Sequence, residues 1–316
     1  MSQPLGKYME SEIAEQPDAL AKNAQRYFDV LAERLAGRQF DQIVLVARGS
    51  SDNAALYLRY LIEINLHVPV SMAAPSVLTK YGSRVRYRNC LGVGISQSGE
   101  ATDVLAVLHS LSDGGHFTVG ITNSPQSPVA EAVDLHLGLD VGPEVSVAAT
   151  KTYTASLLAA YQLTRSLGAK MPPPVLPDSE WLQFAREGAK RNAETVVGSR
   201  VAFALGRGYS FPTALETALK LVECALIPCR GYSSADFQHG PKAAADDAAV
   251  AIVYGELPDG LAEIGMRFIL APEVEDGPAA EIRAIAFGQY LALEAARLRG
   301  LDPDRARNLS KITKTL

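Results

Sequence analysis

The sequence predicts an α/β protein of two domains, each a mainly parallel sheet flanked by helices on both faces. Three observations carry this. Apolar runs of the buried-strand type alternate with helical patterns along nearly the whole chain, and that alternation builds parallel sheets covered on both sides. A stiff stretch at 169–178, holding four prolines, interrupts the pattern. The elements beyond it echo those before it: Arg48-Gly49-Ser50-Ser51 and Arg207-Gly208-Tyr209-Ser210 each stand between an apolar strand and a helix. We expect a first domain with an N-terminal helix over 1–168, a linker over 169–178, and a second domain with a C-terminal tail over 179–316.

In order, residues 8–36 read as helix, with Leu20, Ala24, Tyr27, Leu31 and Leu35 at helical spacing and Pro17 opening the main segment. Gln42–Ala47 reads as a buried strand, followed by a helix through Leu56, Leu61 and Ile64, and His67–Ala73 as the next strand. Pro75–Arg88 is basic and irregular, with room for a helical turn. Cys90–Ile95 is a strand that stops at Ser96-Gln97-Ser98-Gly99 before a helix from about Glu100 to Leu111. Phe117–Thr122 and Val133–Leu139 are strands around a short helix at Ser127–Ala132, and a long helix follows from about Thr150 to Leu167. Beyond the linker come a helix to about Val196, a strand at Arg200–Leu205 and a helix to about Leu226. Strands at Ala248–Tyr254 and near Arg267–Leu270 precede a helix from about Pro278 to Leu298, and the polar tail Arg305–Leu316 reads as solvated.

Composition excludes several functions. The formal net charge of −5 leaves no basic footprint for nucleic acid. There is no signal-peptide pattern at the start and no apolar run long enough to span a bilayer. Three cysteines, Cys90, Cys224 and Cys229, suit reduced thiols in a cytoplasm and small buried side chains, and no His/Cys/Asp cluster has metal-ligand spacing. A dinucleotide or P-loop motif is missing too, which argues against a nucleotide.

The turn Ser96-Gln97-Ser98-Gly99 has the outline of a phosphate cradle. Unpaired N–H groups at a helix start carry partial positive charge, serine hydroxyls add donors, and glycine lets the backbone come close. An ordinary helix cap fits the same pattern. Glu216, Lys220 and Glu223, spaced four and three apart, share one face of a helix, with apolar neighbours at Leu219, Leu221, Val222, Ala225 and Leu226. They are either a solvated ion-pair ladder or a buried stripe containing a general base. His239, in front of Gly240-Pro241, is displayed on a turn, where it is a surface histidine or a proton relay.

Together these residues resemble a known family: the isomerase part of glucosamine-6-phosphate synthase, built from two sugar-isomerase (SIS) domains. The similarity runs almost end to end. It takes in Glu12-Ile13-Ala14-Glu15-Gln16-Pro17, the Ser96–Glu100 turn, Val147-Ala148-Ala149-Thr150-Lys151, the Ala214–Glu223 helix, His239-Gly240-Pro241 and Arg307-Asn308-Leu309-Ser310-Lys311. The resemblance implies that a hexose 6-phosphate rests its phosphate on Ser96, Gln97 and Ser98, helped by Ser51, while Ser50 and the backbone near Val147 face the sugar. It implies Glu223 as the base between C1 and C2, with Lys220 beside it. It also implies His239 as the ring opener, supplied to a neighbouring subunit, and Lys311 as part of a C-terminal strap. The chain departs from the synthases at Arg48, Ala101 and Ala149, where they carry cysteine, threonine and serine, and Thr102 is the adjacent substitute hydroxyl. The segment between Tyr254 and Arg267 is short for the family, so a truncated helix is expected there.

Met1-Ser2 offers no N-terminal cysteine nucleophile and no glutaminase domain precedes it, so a glutamine-independent enzyme is expected. The implied reaction is deamination of glucosamine 6-phosphate to fructose 6-phosphate and ammonia. It needs no metal or organic cofactor, because the substrate's own imine spreads the developing charge. The alternatives are aldose–ketose isomerisation or deglycation of another phosphosugar, or a sugar-phosphate-binding regulator without turnover. A cytoplasmic homodimer with shared active sites completes the expectation.

Overall fold

A computed structural model describes residues 4–274 and 277–311. Met1-Ser2, on which the expectation of glutamine independence rests, and the tail beyond Lys311 lie outside the described residues. The chain opens with α1 (Lys7–Ala14) and α2 (Gln16–Leu35). The single helix expected here breaks before Pro17, whose ring cannot sit in a helix interior. Then come β1 (Gln42–Val46), α3 (Ser50–Asn65), β2 (Val70–Met72), the one-turn α4 (Ser76–Thr79), β3 (Cys90–Ile95) and α5 (Thr102–Asp113). β4 (Phe117–Thr122), the one-turn α6 (Pro128–Glu131), β5 (Leu135–Gly138) and α7 (Lys151–Ser166) follow. Next are α8 (Ser179–Val197), β6 (Val201–Gly206), α9 (Ser210–Ala225), β7 (Cys229–Ser233) and the one-turn α10 (Ser234–Phe237). β8 (Ala249–Val253), β9 (Arg267–Leu270) and α11 (Ala280–Leu298) close the regular structure.

The chain forms two compact units that cross the sequence division. One comprises Asp18–Pro143 and Lys151–Pro174, and holds a five-stranded parallel sheet of order β2-β1-β3-β4-β5. The other gathers the chain through Pro17, Glu144–Thr150 and Val175–Lys311 around a four-stranded parallel sheet of order β7-β6-β8-β9. The first helix, α1, therefore belongs with the second sheet: Met9 and Ile13 are fully buried in the core that α8, α9 and α11 build there. β7 carries no apolar run. It is a mixed edge strand, Cys-Arg-Gly-Tyr-Ser, paired to β6 on one side only, which explains why periodicity alone misses it. Between β8 and β9 a single helical turn at Ala262–Ile264 stands where a truncated helix was expected.

Each sheet reverses its direction of growth once. In the first, β1 connects through α3 to β2 on one side, and β3 then pairs with β1 on the other. In the second, β6 connects through α9 to β7, and β8 pairs with β6 on the far side. At such a switch point the loops leaving two neighbouring strands part and open a crevice at the strands' carboxyl ends. The first crevice is framed by the loops after β1 and β3, the second by those after β6 and β8.

Candidate functional site

The first crevice contains the serine turn. All of β3 is buried, and Val46 pairs with Gly94, so the turn after β1 runs beside the turn after β3. The Ser96 N–H donates to Ile121 O (3.0 Å), which ties the turn to β4. Gly99 N–H donates to Ser96 Oγ (3.1 Å) and Glu100 N–H to Ser98 Oγ (3.2 Å), so both hydroxyls act as acceptors here and keep their protons for another partner. Gly99 has φ +69°, and a Cβ there would run into Ser127 Oγ. The helices behind the crevice begin without side-chain caps: Gly49 (φ 57°) precedes α3 and Ala101 precedes α5. Ser50 and Ser51 are half-buried in the first turn of α3, Gln97 and Ser98 are half-buried, Ser96 is buried, and Thr102 is exposed at the start of α5. Two uncapped helix starts and free hydroxyl protons suit an anion. Arg48 adds a cation at the same edge, its Nη2 2.5 Å and Nε 3.1 Å from Oδ2 of the buried Asp103 in the first turn of α5.

The other unit holds the charged helix face. Glu216 and Lys220 on α9 are fully buried, so the stripe is not a solvated ladder. Lys220 Nζ lies 3.3 Å from Glu216 Oε1 and 2.6 Å from Glu223 Oε2. Burial works to discharge the Lys220 ammonium, but Glu216 and Glu223 outweigh it and hold its pKa well above the ordinary lysine range. The Glu223 side chain keeps 21% of its surface exposed while Glu216 keeps none. Glu223 is thus the one carboxylate of the triad that a substrate can reach, and a fixed ammonium orients it.

Glu144–Thr150 forms a second polar cluster in this unit. Glu12 on α1, buried, accepts through Oε1 from Val145 N–H and from Ser146 N–H (3.2 Å). Its Oε2 is buried with no hydrogen-bond partner among the described residues. Burial pushes the Glu12 carboxyl up to about 7, and the neighbouring Glu144 charge adds to the rise. Glu144 Oε1 accepts from Thr150 N–H (3.0 Å) and Thr150 Oγ1 (3.3 Å), and its Oε2 accepts from Lys311 Nζ (2.7 Å). Lys311 Nζ also donates to Ser146 O (2.8 Å). The tail is therefore solvated only in part. Arg307–Ser310 is exposed, but Lys311 is pinned, and upstream Asp302 and Asp304 accept from the N–H groups of Gly6, Tyr8 and Met9 at the start of α1.

The expected site residues thus fall into two groups. Ser50, Ser51, Ser96, Gln97, Ser98 and Thr102 gather in the first crevice; Lys220, Glu223, His239, Lys311 and the half-buried Val147 belong to the other unit. His239 is exposed just after α10, and its N–H donates to Asp236 O (3.0 Å). Sequence reading passed over Glu12, Glu144 and Asp103. Each lies in a motif already singled out or beside one, but an acidic residue in a helix or loop reads as solvated until its burial is known. The cysteines take no part: burial pushes the Cys90 thiol to about 11 and the Cys224 thiol to about 12, so both stay protonated. No helix among the described residues is long and apolar enough to cross a membrane.

Comparison with known proteins fits this geometry. Residues 38–166 match the SIS domain. Across 96% of its length the chain is 32% identical to the isomerizing glutamine–fructose-6-phosphate aminotransferase of Thermococcus kodakarensis, and 31% identical to that of Methanothermobacter thermautotrophicus. It spans 57% of the length of each. Among solved structures, a proposed phosphosugar isomerase from Silicibacter pomeroyi superposes with a TM-score of 0.78 at 27% identity, covering 94% of this chain and 99% of that one. A glucosamine-6-phosphate deaminase from Thermotoga maritima reaches 0.81 at 22% identity, covering 98% and 100%, a likeness of fold.

Proposed function

Because the chain belongs to the SIS-domain family, we propose that it is a phosphosugar isomerase whose reaction is the deamination of glucosamine 6-phosphate to fructose 6-phosphate and ammonia, without glutamine. The observation that carries the reading is Glu223: an accessible carboxylate held 2.6 Å from a buried ammonium on the same helix. Such a group costs stability and suits one task, moving a proton at a fixed place.

In this reading Ser96, Gln97 and Ser98, with Ser51 and the starts of α3 and α5, grip the phosphate. That remote binding orients C1 and C2 of the sugar, with Ser50 and the Val147 backbone facing the hydroxyls. His239 opens the ring and serves the site of a neighbouring subunit in a homodimer. Glu223 then takes the proton from C2 of the open-chain aldehyde and returns it to C1. The C2 amine becomes a ketimine, which water hydrolyses to the ketone and ammonia. Lys220 holds Glu223 in place. The setting expected for such an enzyme is the cytoplasm.

Glucosamine 6-phosphate, supplied without glutamine, tests the reading: ammonia and fructose 6-phosphate should appear together in equal amounts. Interconversion of sugar phosphates without ammonia would make the chain a plain aldose–ketose isomerase. Thermal stabilisation by sugar phosphates with no turnover would make it a sensor.

A further inference from the structure

The Glu144 carboxylate has no part in the chemistry just described, yet both of its oxygens have hydrogen-bond partners. Its side chain is wholly shielded from solvent, and it accepts hydrogen bonds from Thr150 of the same short loop and from Lys311. Oε1 takes the N–H and hydroxyl of Thr150, which closes the loop Glu144–Thr150 on itself. Oε2 faces the Lys311 ammonium at 2.7 Å, and the same ammonium reaches back to Ser146 O at 2.8 Å. Behind the loop, the buried Gln289 donates through Nε2 to Thr150 O (3.1 Å) and accepts through Oε1 from Nε2 of the buried Gln16 (2.6 Å). Glu12 holds the Val145 and Ser146 amides from the other side. The loop therefore has its backbone fixed at Val145, Ser146 and Thr150, and Val147 lies between the fixed points.

We propose that Glu144 is a positioning residue: it fixes the Lys311 ammonium against the Val147 loop, so that one buried carboxylate sets the place of both. A buried charge-assisted contact of this length is strong, and the carboxylate has no solvent to fall back on if the ammonium leaves. Glu12 fits the same role at the level of the backbone. A buried acid with one unmatched oxygen is costly for stability, and what it holds is the turn that carries Glu144. The proposal rests on the reading that the Val147 backbone faces the sugar and that Lys311 belongs to a C-terminal strap at that site, but its physical core, the tether, does not.

The tether is tested without substrate. Lysines of the whole chain are reductively methylated for short times and followed by mass spectrometry, in the native protein and in Glu144→Gln. Freed from its carboxylate, Lys311 should react ~10-fold faster in the variant, with Lys170 and Lys190 unchanged. Equal rates at Lys311 would overturn the proposal. Should Glu144→Gln fail to fold, Glu144→Asp, which keeps the charge but draws it back by one methylene, should raise Lys311 reactivity by a smaller factor, and no rise would count against the tether equally. Kinetics then ask whether the tether matters. With glucosamine 6-phosphate, Glu144→Gln and Lys311→Met should each lower kcat more than they raise KM, and the double variant should be no worse than Lys311→Met alone. Additive losses would mean that Glu144 acts on stability and not through Lys311. If no sugar phosphate is turned over, the functional reading fails while the labelling still decides the tether.

Discussion

The two crevices have the same construction and opposite chemistry. Each lies beside the first strand of its sheet, each is entered through an Arg-Gly-x-Ser turn, and the glycine of each turn has a positive φ, 57° at Gly49 and 62° at Gly208. Each is backed by a helix without a side-chain cap. The difference lies in what the facing strand delivers. β3 ends in Ser96-Gln97-Ser98-Gly99, where β8 is followed by Tyr254-Gly255-Glu256-Leu257. In the second crevice, a cavity of about 550 Å³, Ser210 turns its hydroxyl onto Arg207 O (3.1 Å) and accepts from Arg207 N–H (3.0 Å), while Glu256 and Asp259 line the wall. Under the proposed function a phosphate sits in the first crevice, while Glu256 and Asp259 weigh against one in the second. The fold supplies the crevice twice, with different side chains in each copy. The second unit's contribution lies instead along α9, where Glu223 is displayed.

If the units divide the labour in this way, cutting each should give different kinetic signatures. The largest effect is expected at Glu223. Glu223→Gln should lower kcat by ~10²–10⁴-fold, the usual range for a lost general base, and leave KM within a few-fold. Unchanged turnover in steady-state assays would remove Glu223 from the chemistry.

Next in size is a stability effect confined to the second unit. Glu281, buried and hydrogen-bonded by Thr213 Oγ1, is pushed by burial up to about 7. Because its folded pKa lies above the unfolded value, the native state binds the proton more tightly. The group therefore causes no loss in acid, and stability falls as pH rises from about 4.5 to about 7. The loss is of order ~3 kcal/mol. Denaturant titrations of Glu281→Gln should show a smaller fall over that window, and an identical pH profile would mean the carboxyl is not buried in its neutral form.

Third comes the serine turn. Ser98→Ala removes one donor to the phosphate and should raise KM for the sugar phosphate ~10-fold with kcat little changed. Ser210→Ala, which removes a hydroxyl from the second crevice, should leave KM alone. Equal effects at the two serines would erase the contrast between the crevices.

How much of this the sequence revealed follows from the same physics. β3 and β4 were legible to the residue, because buried strands of a parallel sheet are continuous apolar runs. The serine turn was legible because its hydroxyls and glycine are adjacent in sequence. β7 was not, since an edge strand need not be apolar. The assignment of α1 to the second unit was not either, because helical periodicity reports that a face is buried and never against what. The Glu12–Val145 and Glu144–Lys311 contacts bridge residues more than a hundred positions apart, and no local pattern encodes such a meeting.

The smallest effect expected is also the most specific to this chain. Arg48 stands where the synthases it resembles carry cysteine, and its guanidinium meets Asp103 with Arg48 about half exposed and Asp103 only 6%. An exposed arginine contributes modestly to an ion pair, so Arg48→Cys should cost about 1 kcal/mol of stability. Its consequence for the crevice is sharper. Asp103 sits in the first turn of α5, the helix whose uncapped start faces the proposed phosphate, and without Arg48 its charge opposes the ligand directly. Arg48→Cys should therefore raise KM a few-fold, and Arg48→Cys combined with Asp103→Asn should recover most of the loss, since the pair is then removed as a unit. The matching change in the other copy, Arg207→Cys, should move neither KM nor kcat. If Arg48→Cys instead tightens binding, the arginine is blocking the crevice rather than balancing Asp103, and the serine turn must be reached by a ligand that the cation excludes.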